Sequence, residues 1–162
     1  MSELSFPQSG VIKLVRTSSE NTDFRILITA LDEDLYLRNG EGQLIYRQYN
    51  QVDHINHVVV IYSGDFPVGC GCFKKFDYET VEMKRMFVLP EMRGRKLAVQ
   101  LLQELEKWAV EEGYTKAVLE TGLRQVEAIR LYTVAGYILT ENYGQYVGMA
   151  DSICYEKSLK AT

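Results

Sequence analysis

Hydrophobic and polar positions recur at two different periods along the chain, and the changes of period mark its elements. "VIKLVR" (11–16) alternates as a strand does and runs into "TSSENT", a polar cluster suited to capping a helix. Phe24, Leu27, Ile28, Leu31 and Leu35 then recur at helical spacing up to Gly40, and a shorter helix is expected over "QLIYRQYNQ" (43–51). "HVVVIY", the turn "SGDFP" and "VGCGCFKK" read as a hairpin. A third strand follows over "ETVEMKRMFV" (79–88), and Pro90 ends it because proline lacks the amide that a ladder needs.

Leu97, Leu101, Leu105, Trp108 and Ala109 form one apolar stripe opposite Gln103, Glu104, Glu106, Lys107 and Glu111, which predicts an amphipathic helix stopped at Gly113. "YTKAVLE" reads as a strand, "RQVEAIRLYTVA" as a helix ended by Gly136, and "YIL" and "DSICYEKSL" as two further strands. The order is strand, two helices, three strands, helix, strand, helix, two strands. It predicts a single α/β domain over residues 1–162, with a mixed, mostly antiparallel sheet and helices on both faces.

Composition narrows the function classes. With 162 residues, 46% of them hydrophobic, the chain holds enough apolar material for one core. A net charge of −4 gives no positive field for a nucleic-acid backbone and fits a cationic small substrate better. The apolar runs are too short to cross a bilayer, and "MSELSFPQSG" lacks the basic start and apolar middle of a signal peptide, so a cytoplasmic protein with no membrane partner is expected. Three cysteines, an odd number, argue against a disulfide framework, and Cys70 and Cys72 fit one strand face as small core residues. His54 and His57 read as surface or loop positions, and no metal site is expected.

Chemistry concentrates in "LPEMRGRKLAVQLL". A helix that begins after a loop presents unpaired N–H groups and a partial positive charge. Arg93, Gly94, Arg95 and Lys96 stand at such a start and suit a phosphate or pyrophosphate, although a basic loop facing only solvent or a neighbouring acid has the same sequence. The preceding strand is charged where a central strand should be apolar. Period two puts Glu82 and Lys84 on one side and Arg85 on the other, so either both faces meet something polar or the stretch is an exposed edge.

"VEMKRMFVLPEMRGRKLAVQLL" followed by "QVEAIRLYTVAGY" resembles the central and C-terminal motifs of the GNAT superfamily of acetyl-CoA-dependent N-acetyltransferases. The resemblance covers nearly the whole chain. The family's loop pattern is Arg or Gln, two residues, Gly, one residue, then Gly or Ala; Arg93 and Ala98 match it, and Lys96 stands where the pattern has glycine. The resemblance implies that Arg93, Gly94, Arg95, Lys96, Leu97 and Ala98 clamp the pyrophosphate of acetyl-CoA, and that backbone groups around Phe87 and Val88 pair with its pantetheine arm as an added strand would. It further implies Glu82 as general base, directly or through water, and Tyr132 as the acid for the departing thiolate. Gln125 stands where many members carry asparagine.

The function these signs imply is acetyl transfer from acetyl-CoA to a primary amine by direct attack in a ternary complex, with a non-catalytic acyl-CoA-binding or regulatory module as the alternative. Glu120 ends "AVLE" and is expected to face the cleft and bind the substrate cation. The acceptor cleft is expected from "LDEDLYLRNG" and "ENYGQYVGMADS", where Asp34 and Tyr143, with Asp32, Glu33 and Tyr146, suit a cationic or aromatic-bearing amine. A solvated helix face and a packed aromatic loop read equally well there. The acceptor, small molecule or peptide and protein amine, stays open, as does a homodimer.

Overall fold

A computed structural model of the chain describes residues 10–39 and 54–160. Its elements are β1 (Ile12–Thr17), α1 (Thr22–Asn39), β2 (His57–Ser63), β3 (Phe66–Lys75), β4 (Thr80–Val88), α2 (Leu97–Glu111), β5 (Lys116–Gly122), α3 (Val126–Val134), β6 (Ile138–Thr140) and β7 (Ser152–Ser158). The expected helix over 43–51 lies outside the described residues. Asn21 caps α1, its Oδ1 accepting the Phe24 amide at 2.9 Å, and Gly113 stops α2 with φ +95°, an angle costly for other residues. No helix among the described residues is long and apolar enough to cross a membrane.

The strands form one sheet in the order β1-β2-β3-β4-β5-β7-β6. Every neighbouring pair is antiparallel except β4 with β5, which α2 joins as the crossover. Parallel neighbours need such a crossover because a tight turn cannot return the chain to the same end. Helices cover both faces. On one, Phe24, Leu27 and Leu31 of α1 pack on Val58, Val60, Cys70, Cys72 and Phe87; on the other, Leu97, Leu101 and Leu105 of α2 pack on Val59, Ile61, Val81 and Met83. Each fully buried leucine contributes roughly 1.5–3 kcal/mol. The stripe read from the sequence therefore fixes which face of α2 turns inward.

One expectation is corrected and another made specific. His57 begins β2, as the strand reading of "HVVVIY" expects, and sits partly exposed at the surface, where it stacks on Phe73 with ring centroids 4.5 Å apart and pairs with Glu112 at 3.3 Å. The correction concerns β4. Cys70 pairs with Phe87, but Cys72 pairs with Lys84, so Arg85 and Met86 oppose the single residue Gly71. This is a β-bulge, with Arg85 in the left-handed region at φ +59°. Alternation resets there. Lys84 stays on the α1 face with Glu82, and Arg85 joins them instead of pointing away, its Nη2 donating to Asp32 Oδ1 of α1 at 2.6 Å.

Candidate active site

β4 and β5 pair only through Thr80↔Lys116, Val81↔Ala117 and Glu82↔Val118. Beyond Glu82 the strands part, although β4 continues to Val88 and β5 to Gly122. Between them lies a cavity of about 570 Å³, a size ordinary for small-molecule sites. Glu82, Arg85 and Phe87 line it from β4, Glu120 from β5, Gln125 and Tyr132 from α3 and its cap, and Asp34 from α1. Residues distant in the sequence meet there because a central sheet stops pairing halfway along.

The loop between β4 and α2 closes one end. Proline at 90 opens a single tight turn, Pro90–Met92, after which Arg93 folds back so that its Nε donates to the Val88 carbonyl at 3.1 Å. Its guanidinium lies over the Phe87 ring at 5.9 Å and 3.9 Å from Asp34 Oδ2. Asp34 thus stands beside the loop arginine. Gly94 and Lys96 both adopt left-handed backbone, at φ +81° and +61°. The position where the family pattern has glycine is therefore a position of glycine geometry, and lysine adopts it at a cost of order 1–2 kcal/mol.

No side chain caps α2 at Lys96, so its first-turn amides face the loop. A Cβ built on Gly94 meets nothing within 4 Å. The protein itself leaves room at that backbone, as close approach by a ligand requires. Gly94, Arg93 and Ala98 line the cavity; Arg95 and Lys96 are exposed beside it, and the Leu97 side chain turns into the core, leaving its backbone as the group it can offer.

Comparison with known proteins identifies the family and the fold. Residues 24–137 match the Acetyltransferase (GNAT) family. An IAA acetyltransferase of Azospirillum brasilense is 37% identical over 138 residues, covering 82% of this chain and 88% of that protein. The chain belongs to the GNAT family. Among solved structures, a Klebsiella pneumoniae protein described as a candidate acyl-CoA N-acyltransferase superposes on this GNAT chain with a TM-score of 0.78 and 27% identity, covering 93% of this chain and 99% of that one. A GNAT acetyltransferase of Elizabethkingia anophelis solved with acetyl-CoA bound shares the fold, with a TM-score of 0.65 at 17% identity over 94% of this chain and 100% of that one.

Within the GNAT cleft the two carboxylates have different surroundings. Glu82 is buried and engaged: Tyr143 Oη donates to its Oε2 at 2.7 Å, and the ammonium groups of Lys74 and Lys84 lie 3.7 and 3.9 Å from its Oε1. Tyr143 accordingly stands behind Glu82, and Tyr146 lines the cavity. Glu120 accepts a long 3.5 Å hydrogen bond from Ser152 Oγ, its one hydrogen bond among the described residues, and burial, with Lys84 opposing and Glu82 adding, pushes its carboxyl up to about 7. Burial lowers the Lys84 ammonium, and Glu82 opposes that shift.

Tyr132 is buried against Tyr137 and Tyr155, with ring centroids 5.9 and 6.4 Å away. Burial first, then the charge of Glu120, raises its phenol above the ordinary range, so it holds its proton at neutral pH. The arrangement offers one carboxylate fixed by cations, one poised to change charge near neutrality, and one protonated phenol. The charges of Lys84 and Arg85 are legible in the sequence, but the bulge that turns Arg85 to the side of Lys84 is not. The signal was a run of charges within a central strand.

Proposed function

We propose that the protein transfers an acetyl group from acetyl-CoA to a primary amine by direct attack within a ternary complex. The observation that carries this reading is the meeting of Glu82, Glu120 and Tyr132 in one cavity whose end is closed by the loop 93–98. Arg93, the backbone of Gly94 through Ala98 and the uncapped start of α2 would hold the pyrophosphate, with Arg95 and Lys96 adding charge at the rim. Acetyl-CoA supplies an activated thioester when bound. The parted edge of β4 at Phe87 and Val88 supports pairing with an amide-bearing arm, although the Val88 carbonyl already accepts Arg93 Nε. Gln125, at the start of α3, faces the same cavity.

An amine attacks only after losing a proton. Glu82 takes that proton, directly or through water, and Glu120, ionised above about 7, draws the ammonium into the cleft. Nitrogen then bonds to the acetyl carbon as the carbonyl pair moves to oxygen, the tetrahedral centre collapses with cleavage of the C–S bond, Tyr132 delivers its proton to the departing sulfur, and the second proton shed by the nitrogen passes through water to restore the phenol. No protein nucleophile takes part. A neighbour of the same fold was solved with acetyl-CoA bound, which makes that thioester the first donor to test.

Thiol release from acetyl-CoA across a panel of amines, peptides and protein termini tests the reading. Amine-dependent release is the expected result. Acetyl-CoA binding measured by calorimetry without release from any acceptor would make the protein an acyl-CoA-binding module instead.

A further inference from the structure

The geometry points to an acceptor that carries a carboxylate as well as its amine, with Arg85 as the residue that reads the carboxylate. This rests on the acetyl-transfer reading of the same cleft and names the class of its acceptor. Arg85 lines the cavity with Glu82 and Glu120, yet only 3% of its side chain is exposed. A guanidinium carries five N–H donors in a flat fork. Asp32 takes one of them through Nη2, and Nε is buried with no hydrogen-bond partner among the described residues. Leaving such a donor unmet ordinarily costs of order 1–3 kcal/mol, and more for a charged group.

The backbone adds a second cost. Arg85 reaches this face only because the strand bulges and the residue itself adopts φ +59°, where glycine or asparagine would be easier. An ion pair that merely fastened α1 to the sheet would need neither the bulge nor an unmet donor beside a cavity. Strain and an orphaned donor together at a cleft mark a group prepared for a ligand.

The surroundings select the ligand's charge and shape. Lys84, also buried, sits next to Arg85 on the α1 face, while Asp32 is already engaged with Arg85 and Glu82 with Tyr143, Lys74 and Lys84, which leaves Glu120 as the carboxylate held most weakly. A planar, singly charged carboxylate matches the guanidinium fork. A phosphate dianion would set two charges against Asp32 and Glu82. The acceptor's ammonium meets Glu82 and Glu120 while its carboxylate meets Arg85, which defines an amino acid or an amine of like chemistry.

The test compares matched acceptors. A set of amino acids with varied side chains is supplied with acetyl-CoA, each as the free acid, the carboxamide, the decarboxylated amine and the aminophosphonate, and kcat/KM is read from thiol release. Among the best side chains the free acid should exceed the carboxamide by about tenfold or more, because a site built for a polar partner rejects analogues that lack it. Arg85→Gln should bring that acid-to-amide ratio close to one, and Arg85→Lys should retain part of it. A wild-type protein that uses the carboxamide or the decarboxylated amine as well as the acid overturns the inference while leaving acetyl transfer intact; preference for the phosphonate overturns it in favour of a phosphate reader. Should no amine release thiol, the acetyl-transfer reading itself fails, and titration of the same acids and amides onto the CoA-loaded protein decides about Arg85 alone: tighter acid binding that Arg85→Gln abolishes supports it, and equal binding overturns it.

Discussion

Tyr143 Oη donates a 2.7 Å hydrogen bond to Glu82 Oε2, across 61 positions of sequence. The loop after β6 is thereby fastened to the middle of the sheet at the carboxylate proposed as base. Hydrogen bonds to charged groups are worth about 1.5–3 kcal/mol, more than a neutral pair. Tyr143→Phe should therefore lower stability by roughly that amount and reduce kcat/KM by about tenfold through a less well-held Glu82. Glu82→Gln should cost more, roughly 10²–10⁴-fold in rate. Denaturant melts and thiol-release kinetics on both variants check the order; a Tyr143→Phe protein as active as wild type removes the positioning role.

Glu120 holds its proton up to about 7, against an ordinary 4.5. Between those values the folded protein binds a proton that the unfolded chain has released, so the associated stability is complete below about 4.5 and is lost as pH rises through about 7. Glu120→Gln is neutral at every pH and escapes that loss. Its stability relative to wild type should climb between pH 4.5 and 7 and then level off, the total rise being on the order of 1–3 kcal/mol. Urea midpoints across that pH range give the answer, and a flat difference would show that Glu120 is not desolvated.

The loop separates backbone geometry from charge. Lys96→Gly should raise stability by about 1 kcal/mol, since glycine reaches φ +61° without the cost that lysine meets. CoA affinity should stay within a few-fold if lysine contributes its backbone. Gly94→Asp finds open space for its side chain but takes on backbone strain at φ +81°, so a folded variant should be slightly less stable, and its larger effect should appear on the ligand, with a dissociation constant for CoA raised well beyond tenfold, or about 1.4 kcal/mol. Calorimetry with CoA measures both, and unchanged affinity in folded Gly94→Asp removes the loop from the coenzyme site.

Tyr132→Phe keeps the ring that packs on Tyr137 and Tyr155 and deletes only the hydroxyl. Acetyl-CoA binding should be nearly unchanged while kcat falls, the signature of an interaction made chiefly in the transition state. Full turnover would return Tyr132 to a packing role.

The sequence made the helices legible because their burial repeats locally: the stripe from Leu97 to Ala109 reappears as the buried face of α2, and Asn21 caps α1 from the polar cluster read as a cap. The loop Arg93–Ala98, proposed above as the coenzyme's anion site, is legible for the same reason, as a short basic run beside a helix start. What escaped was nonlocal. Nothing near Glu82 announces Tyr143 or Lys74, and nothing near Phe73 announces the His57 ring that stacks on it. A bulge also leaves no periodic trace, since one extra residue among charged neighbours looks like ordinary alternation. Lys96 departs from the family pattern in residue, yet its φ of +61° is an angle that glycine takes most easily, which no sequence pattern displays.

The bulge gives β4 two phases in one strand. Val81 and Met83, both odd, face α2 before it, and Met86 and Val88, both even, face α2 after it. Read by substitution at every position, β4 would show apolar demand on odd numbers up to 83 and on even numbers from 86, with the inversion centred on Arg85. Deleting Arg85 would restore a regular ladder with both halves in phase, Val81, Met83, Met86 and Val88 still facing α2 and Lys84 and Phe87 still facing α1, so the single extra residue lends the cleft a cation without loosening the strand's grip on the core.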